Sequence, residues 1–374
     1  MRATRALIHL DNFRSNIRLV RNRVGPGRKL CVPVKADGYG HGAVPMAKAA
    51  LEEGAAFLAV ATVGEGVLLR DAGITAPILL LSIPIPEETP ELIANKLTPL
   101  VGDKEFIQAL AAAASSMPLA KGEPLPVHLK VDTGMGRVGC APESAAEMAA
   151  LIAGSKGLKL EGVATHLAVS DSLIPDEVRY TKEQLARFSG AVDSIRKAGI
   201  DPGIAHAANT GAVAFHEDAF LDMVRPGILL YGYAPGGAEK VLPVKPVMEL
   251  VSQIVFIKRV KKGETVSYGR TWTADRDTTI ATIPVGYGDG LPRRLSGDFS
   301  VRINGAMYPL AGRICMDQCM ADLGPATTIR RWDSVTIFGG DAPSAADIAA
   351  KLGTISYEIT CGINKRVPRV YPES

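Results

Sequence analysis

The sequence predicts a (β/α)8 barrel followed by a second, mostly β domain. Two observations carry this prediction. Between Leu30 and Tyr231 eight short apolar runs alternate with helical segments over about 200 residues, a spacing that suits a closed barrel better than an open doubly wound sheet. After Pro235-Gly-Gly the alternation stops and β-rich runs separated by turn clusters take over. The expected boundaries are 11–236 for the barrel and 237–374 for the β domain, which the segment 1–10 joins.

Ala6 to Leu10 reads as a first strand, and Asp11 caps a helix whose Phe13, Ile17, Val20 and Val24 recur on one face. Gly25-Pro-Gly ends it. Leu30 to Val34 is a short apolar run of the kind expected for a strand covered on both faces, followed by the turn chemistry of Asp37-Gly-Tyr-Gly-His-Gly42. A helix should then span Gly42 to Gly54, with Val44, Ala47 and Leu51 as its stripe. The alternation continues with strands at Phe57–Ala61, Ile78–Ile83, Thr98–Val101, Val127–Val131, Leu160–Thr165, Ile204–Ala208 and Ile228–Tyr231. Helices are expected at 64–72, 87–96, 104–116 and 143–153, and a long one carries Leu185, Phe188, Val192 and Ile195. In the second domain the β segments are Met248–Val260, Thr279–Pro284, Phe299–Ile303 and Ser334–Phe338, with one helix at Ser344–Leu352.

Composition restricts the function classes. A chain of 374 residues with 47% hydrophobic content is long enough for two cores. Its net charge of +3, from 42 basic and 39 acidic residues without long runs, offers no stripe for nucleic acid and no membrane-surface helix. No apolar stretch approaches the ~20 residues that span a bilayer, and the N-terminus has no apolar export segment. The expected setting is the cytoplasm, where five scattered cysteines stay reduced. Cys315 and Cys319, with no second pair and no nearby histidine, do not make a metal site.

Lys35 stands where a buried strand runs out, and three readings are open for it. It is a solvated strand-end charge, part of a nucleotide loop, or a desolvated amine able to form a Schiff base with pyridoxal phosphate (PLP). The nucleotide reading is weak, because Gly38, Gly40 and Gly42 are spaced GxGxG and no GxxxxGK[ST] occurs. In a barrel, function lies at strand C-termini. Lys35, Lys130, Asp132 through Arg137, His166, Asn209 with Thr210, and Arg225 with Gly227 all fall there and should converge on one mouth. The loops after strands seven and eight, AANTGA and VRPGIL, often bind phosphate in such barrels. Tyr268, Tyr287, Asp289, Arg313, Met316, Asp317 and Tyr357 sit in glycine-flanked turns of the second domain.

Nine segments in order, VKADGYGHG, KVDTGMGRVG, THLA, HAANTGA, VRPGILLYG, VSYGRTW, PVGYGDG, GRICMDQ and SYEITCGI, make the chain resemble the bacterial alanine racemases over nearly its whole length. The resemblance implies PLP held by Lys35, which also serves as one acid/base, with Tyr268 as the second. Racemisation needs groups on opposite faces of the carbanion, because a single base returns the proton to the face it came from. A phenol with a reference pKa of about 10 must be tuned, and the resemblance gives that role to His166 with its arginine partner. Arg225 would face the pyridine nitrogen. Tyr39, His166, Asn209, Thr210, the backbone of Gly227 and Ile228, and Tyr357 would hold the cofactor, Thr210 standing where serine is more usual.

By the same resemblance Arg137, Met316 and Asp317 would meet the substrate, and Lys130 matches a lysine carbamylated in many relatives. The implied activity is interconversion of L- and D-alanine, supplying D-alanine for peptidoglycan, by a homodimer whose sites are built from both chains. The nearest rival is a racemase of the same fold acting on serine, lysine or several amino acids. A PLP decarboxylase fits less well, since Arg225 stands where those enzymes use an acidic partner. A PLP carrier built from the barrel alone has no need of Tyr268 or Met316.

Overall fold

The computed structural model describes residues 2–117 and 123–372. The outermost residues of the expected β domain, Met1 and 373–374, lie outside the described residues, as do 118–122. The chain divides into two compact units, one made of 14–38 and 43–244, the other of 1–13, 39–42 and 245–374. Strand β1 (Arg5–Ile8) belongs to the second unit.

The first unit is a barrel of eight parallel strands: β2 (Lys29–Pro33), β3 (Phe57–Val60), β4 (Ile78–Leu80), β5 (Thr98–Val101), β6 (Leu125–Lys130), β7 (Leu158–Ala164), β8 (Ile204–His206) and β9 (Met223–Val224). Neighbours pair in the order β8-β7-β6-β5-β4-β3-β2-β9. Backbone bonds from Asp222 N to Ala205 O (3.1 Å) and from Arg225 N to Ala208 O (2.9 Å) link the last strand region to β8 and nearly close the ring. The strands are short and apolar because both faces are covered, and Cys31, Phe57, Ala59, Leu79, Leu100, Ala164 and Met223 pack together as one cluster.

Most expected elements appear within a few residues of their places, and Thr98–Val101 and helix Lys104–Ser116 match end to end. Three differences stand out here. Leu10 and Asp11 lie inside the helix Leu10–Val24, whose Phe13, Ile17, Val20 and Val24 are buried as the period requires. In the helix Ala43–Glu52 the buried face is Ala43, Met46, Ala47 and Ala50, the i, i+3, i+4, i+7 set, with Ala49 beside it, so Val44 and Leu51 flank it. The eighth strand is Met223–Val224 rather than Ile228–Tyr231. Pro226 offers no N–H to a ladder, and 228–231 instead form a turn with Leu230 N and Tyr231 N bonded to Gly227 O and Ile228 O. Arg225 therefore follows its strand directly.

The β-rich unit contains β10 (Met248–Gln253), β11 (Phe256–Val260), β12 (Thr265–Val266), β13 (Trp272–Thr273), β14 (Thr278–Ile283), β15 (Ser300–Ile303), β16 (Ala306–Pro309), β17 (Cys319–Asp322), β18 (Ser334–Phe338) and β19 (Arg369–Val370). One sheet runs β16-β15-β18-β10-β1-β19, a second β11-β14-β17, and β12 pairs with β13. The expected single run Met248–Val260 is thus split between two sheets. At the break Ile254 N bonds Asp333 O and Val255 N bonds Thr282 O, handing the chain from one sheet to the other. A second helix, Ser356–Cys361, was not expected; Tyr357 lies on it and not in a turn. No described helix is long and apolar enough to cross a membrane.

Candidate active site

Lys35 follows β2 and leads into a turn of left-handed backbone. Ala36, Asp37, Gly38 and Tyr39 have φ of 51°, 53°, 61° and 52°, a region that costs a non-glycine residue roughly 1–2 kcal/mol each. Surrounding bonds hold the turn in place. Gly38 N donates to Val34 O (2.8 Å), Ala36 N to Glu65 Oε1 (2.7 Å), and Ala43 N to Asp37 Oδ1 (2.9 Å). The amine-bearing residue is fixed by its flanks, which is what pre-organisation at a reacting centre requires.

Arg225 is buried at the end of β9, the strand that pairs in parallel with β2. Its Nη1 meets His206 Nδ1 at 2.6 Å, and its Nη2 donates to Thr165 O (2.8 Å) and Ala207 O (3.2 Å) and lies 3.5 Å from His166 Nδ1. His206 Nε2 is 2.7 Å from His128 Nδ1, and His128 Nε2 is 3.2 Å from Glu161 Oε2. A guanidinium can only donate, so the protons of this chain are ordered. Arg225 donates to His206 Nδ1, His206 Nε2–H to His128 Nδ1, and His128 Nε2–H to Glu161. Burial first, then the nearby Arg225 charge, hold His166 and His206 well below the usual histidine range, so both are neutral. Burial lowers Arg225 to about 10, which leaves it cationic at neutral pH. Its Nε–H has no partner among the described residues.

The two loops read as a phosphate cradle meet where Gly227 N donates to Thr210 Oγ1 at 2.9 Å. Thr210 opens the short helix Thr210–Phe215, capped by Asn209, whose Oδ1 accepts from Ala212 N (3.1 Å) and Ser170 Oγ (2.6 Å). Asn209 Nδ2 donates to Leu167 O (3.1 Å), so this side chain joins the loops after β7 and β8. Gly211 is required at the crossing, because a Cβ there would lie 2.4 Å from Asp171 N. Ile228 is buried, and its N–H donates to no described residue.

Lys130 ends β6, is buried, and its Nζ has no hydrogen-bond partner among the described residues. Burial, with Arg225 next and Arg137 also contributing, brings its pKa down to about 7. Beyond it the loop to Cys140 closes on itself through Asp132 N to Cys140 O (2.8 Å) and Cys140 N to Lys130 O (3.0 Å), leaving Arg137 exposed. Gly139, with φ of +128°, sits where a Cβ would lie 2.8 Å from Asp132 N.

Tyr39, Tyr268, Met316, Asp317 and Tyr357 belong to the β-rich unit. The Tyr39 and Tyr357 rings pack with centroids 5.7 Å apart. Tyr268 is 70% and Met316 54% exposed. The two are tied together through their neighbours. Ser267, whose φ of 70° and ψ of −179° are a strained combination outside glycine, donates its hydroxyl to Arg313 O (2.6 Å) and lies 3.5 Å from Cys315 Sγ.

The alanine racemase N-terminal domain matches residues 8–235 and the alanine racemase C-terminal domain residues 247–371. The chain belongs to the alanine racemase family. An alanine racemase of Treponema denticola is 50% identical, covering 99% of this chain and 98% of its own. An alanine racemase of Clostridium difficile superposes with a TM-score of 0.94 at 40% identity, covering 100% of this chain and 96% of that one. One from Bacillus anthracis, solved with bound L-Ala-P, gives 0.91 at 34% identity with the same coverages.

For an alanine racemase, several polar groups were hidden from sequence reasoning. His128 and His206 sit in strands read as apolar, and only their shared barrel interior explains why two histidines there are useful. Asp289 was noted as a turn residue, but its partners Arg2 and Arg366 were not. The groups in the barrel fit a phosphorylated pyridine cofactor: an amine just past a strand end, a buried cation with an N–H that donates to no described residue, and a hydroxyl beside a buried N–H that likewise donates to none.

Proposed function

We propose that the chain interconverts L- and D-alanine with PLP bound at the barrel mouth, acting in the cytoplasm as a homodimer that supplies D-alanine for peptidoglycan. The observation that carries this is the buried Arg225, which directly follows the strand paired with the one that leads to Lys35, its Nε–H without a partner among the described residues. When bound through the Lys35 amine, PLP supplies an electron sink that makes the substrate Cα–H acidic. Arg225 donates to the ring nitrogen without giving up its proton, which keeps the sink moderate and favours return of the proton to Cα over transfer to the cofactor. Thr210 Oγ1–H and the Ile228 N–H bind the phosphate, with Gly227, Tyr39, Tyr357 and Asn209 around them.

Lys35 handles the proton on one face of Cα and Tyr268 on the other. His166, neutral and with its Nδ1 turned to Arg225, carries its proton on Nε2 and is available as a donor to the Tyr268 oxygen. Arg137 and the Met316 backbone receive the substrate carboxylate, Asp317 standing beside them. Met316 and Tyr357 bound the space for the side chain. Racemisation of L-alanine should exceed that of L-lysine or L-arginine by at least about 100-fold in kcat/KM, since a side chain that overlaps fixed atoms is rejected far more strongly than one merely short of contacts. Equal rates would move the protein to the broad-specificity racemases.

Lys130 is poised for carbamylation. An amine with a pKa near 7 is about half neutral at that pH, and the neutral amine attacks CO2 to give a carbamate and a released proton. The product is an anion that holds Arg137. Native mass measured on the folded protein at neutral and higher pH with bicarbonate should show one added CO2, absent in Lys130→Met; a native mass unchanged in wild type would reject it.

A further inference from the structure

We infer that Arg366 is a positioning residue that aims the Met316 turn at the substrate carboxylate. This rests on the proposed role of the Met316 backbone as carboxylate donor. Asp289 is fully buried in the β-rich unit, and its Oδ1 takes Arg2 Nη2 (2.6 Å) and Arg366 Nε (2.7 Å). Its Oδ2 accepts from Gly286 N (3.0 Å), so the carboxylate also closes the turn 286–290. From that anchored position Arg366 Nη2 reaches Asp317 Oδ1 (2.7 Å) and Met316 O (3.4 Å). One planar fork thus ties a buried carboxylate to an exposed one and to a carbonyl between them.

The bonds made by the carbonyls decide where the N–H groups point. Cys315 O accepts from Tyr287 N (3.0 Å) and Met316 O from Gly288 N (2.8 Å). In a trans peptide the C=O and the following N–H point in opposite directions. With both carbonyls turned to the 286–290 segment, the N–H groups of Met316 and Asp317 are turned away from it. Neither donates to a described residue, and both residues are exposed. Two adjacent unpaired N–H groups on an exposed turn form a receptor for a carboxylate.

Glycines make room for this close approach. A Cβ at Gly286 would lie 2.2 Å from Cys315 O, and one at Gly288 would lie 2.5 Å from Arg366 Nη2. Removing the fork leaves Met316 O with one donor and Asp317 with none from Arg366. The turn then samples other peptide orientations, and carboxylate affinity falls while the proton-transfer groups stay in place.

The test uses the cofactor-loaded enzyme with propionate, a carboxylate without the amine, and isopropylamine, an amine without the carboxylate. In Arg366→Leu, KM for alanine and the Kd for propionate by calorimetry should each rise about tenfold or more. The inhibition constant of isopropylamine and kcat should change less than about threefold, and Arg366→Lys should recover part of the loss. Gly288→Ala, which displaces the guanidinium without removing it, should reproduce the propionate defect and serves if Arg366→Leu does not fold. Wild-type propionate affinity in folded Arg366→Leu, or equal weakening of both probes, would overturn the inference. If wild-type enzyme itself does not bind propionate, the role given to Met316 fails, and this inference with it.

Discussion

Lys35→Ala should lower racemisation by about 10^4-fold or more and leave a protein without its yellow colour. Two contributions disappear together. On the proposed reading the amine would be both the covalent hold on the cofactor and the acid/base on one face of Cα, a role by itself worth about 10^2 to 10^4. Borohydride reduction of wild-type enzyme followed by peptide mapping should place the pyridoxyl group on Lys35. The variant should fold with near wild-type stability, because Lys35 is only partly buried and its turn is held through Ala36 N, Asp37 and Gly38 N. Label on a different lysine, or none, would remove the central assignment. Residual activity above about 1% would show that Lys35 holds the cofactor without moving the proton.

The alternation of apolar runs with helices made the barrel legible, since that period depends only on which faces are covered. Lys35 and Arg225 were visible because they follow apolar runs with glycine or proline close behind. The eighth strand was misplaced for a related reason: Ile228 to Tyr231 is the longer apolar run, but Pro226 and the turn bonds to Gly227 O and Ile228 O place the strand at Met223–Val224. Two-residue strands carry almost no period.

Long-range polar pairing was not legible at all. Nothing near His128 announces His206, 78 residues away, and nothing near Met316 announces Arg366. Such pairs are set by register across the barrel or by where a chain end returns to its sheet. The left-handed turn was half legible. Gly38, Gly40 and Gly42 signal positive φ, and Asp37 tolerates it, whereas Ala36 and Tyr39 adopt it without a side chain suited to it. Departures of that kind mark a place where function overrides local preference.

Mixing Lys35→Ala with Tyr268→Phe protein should restore activity that neither parent has. Tyr268 and Met316 are largely exposed on the unit that carries them, as groups aimed at a second chain would be. In the proposed two-fold dimer each site would take Lys35 from one subunit and Tyr268 from the other, so a heterodimer of the two variants would have one site lacking both groups and one lacking neither. Hybrids isolated through different tags on the parents should reach about half the wild-type rate per dimer, against parents reduced by about 10^2-fold or more. The restored site should also regain the wild-type KM, since Arg137 and Met316 are intact there. Hybrids as inactive as their parents would show that each chain builds its site alone, and Tyr268 would then have to act within its own subunit or not at all.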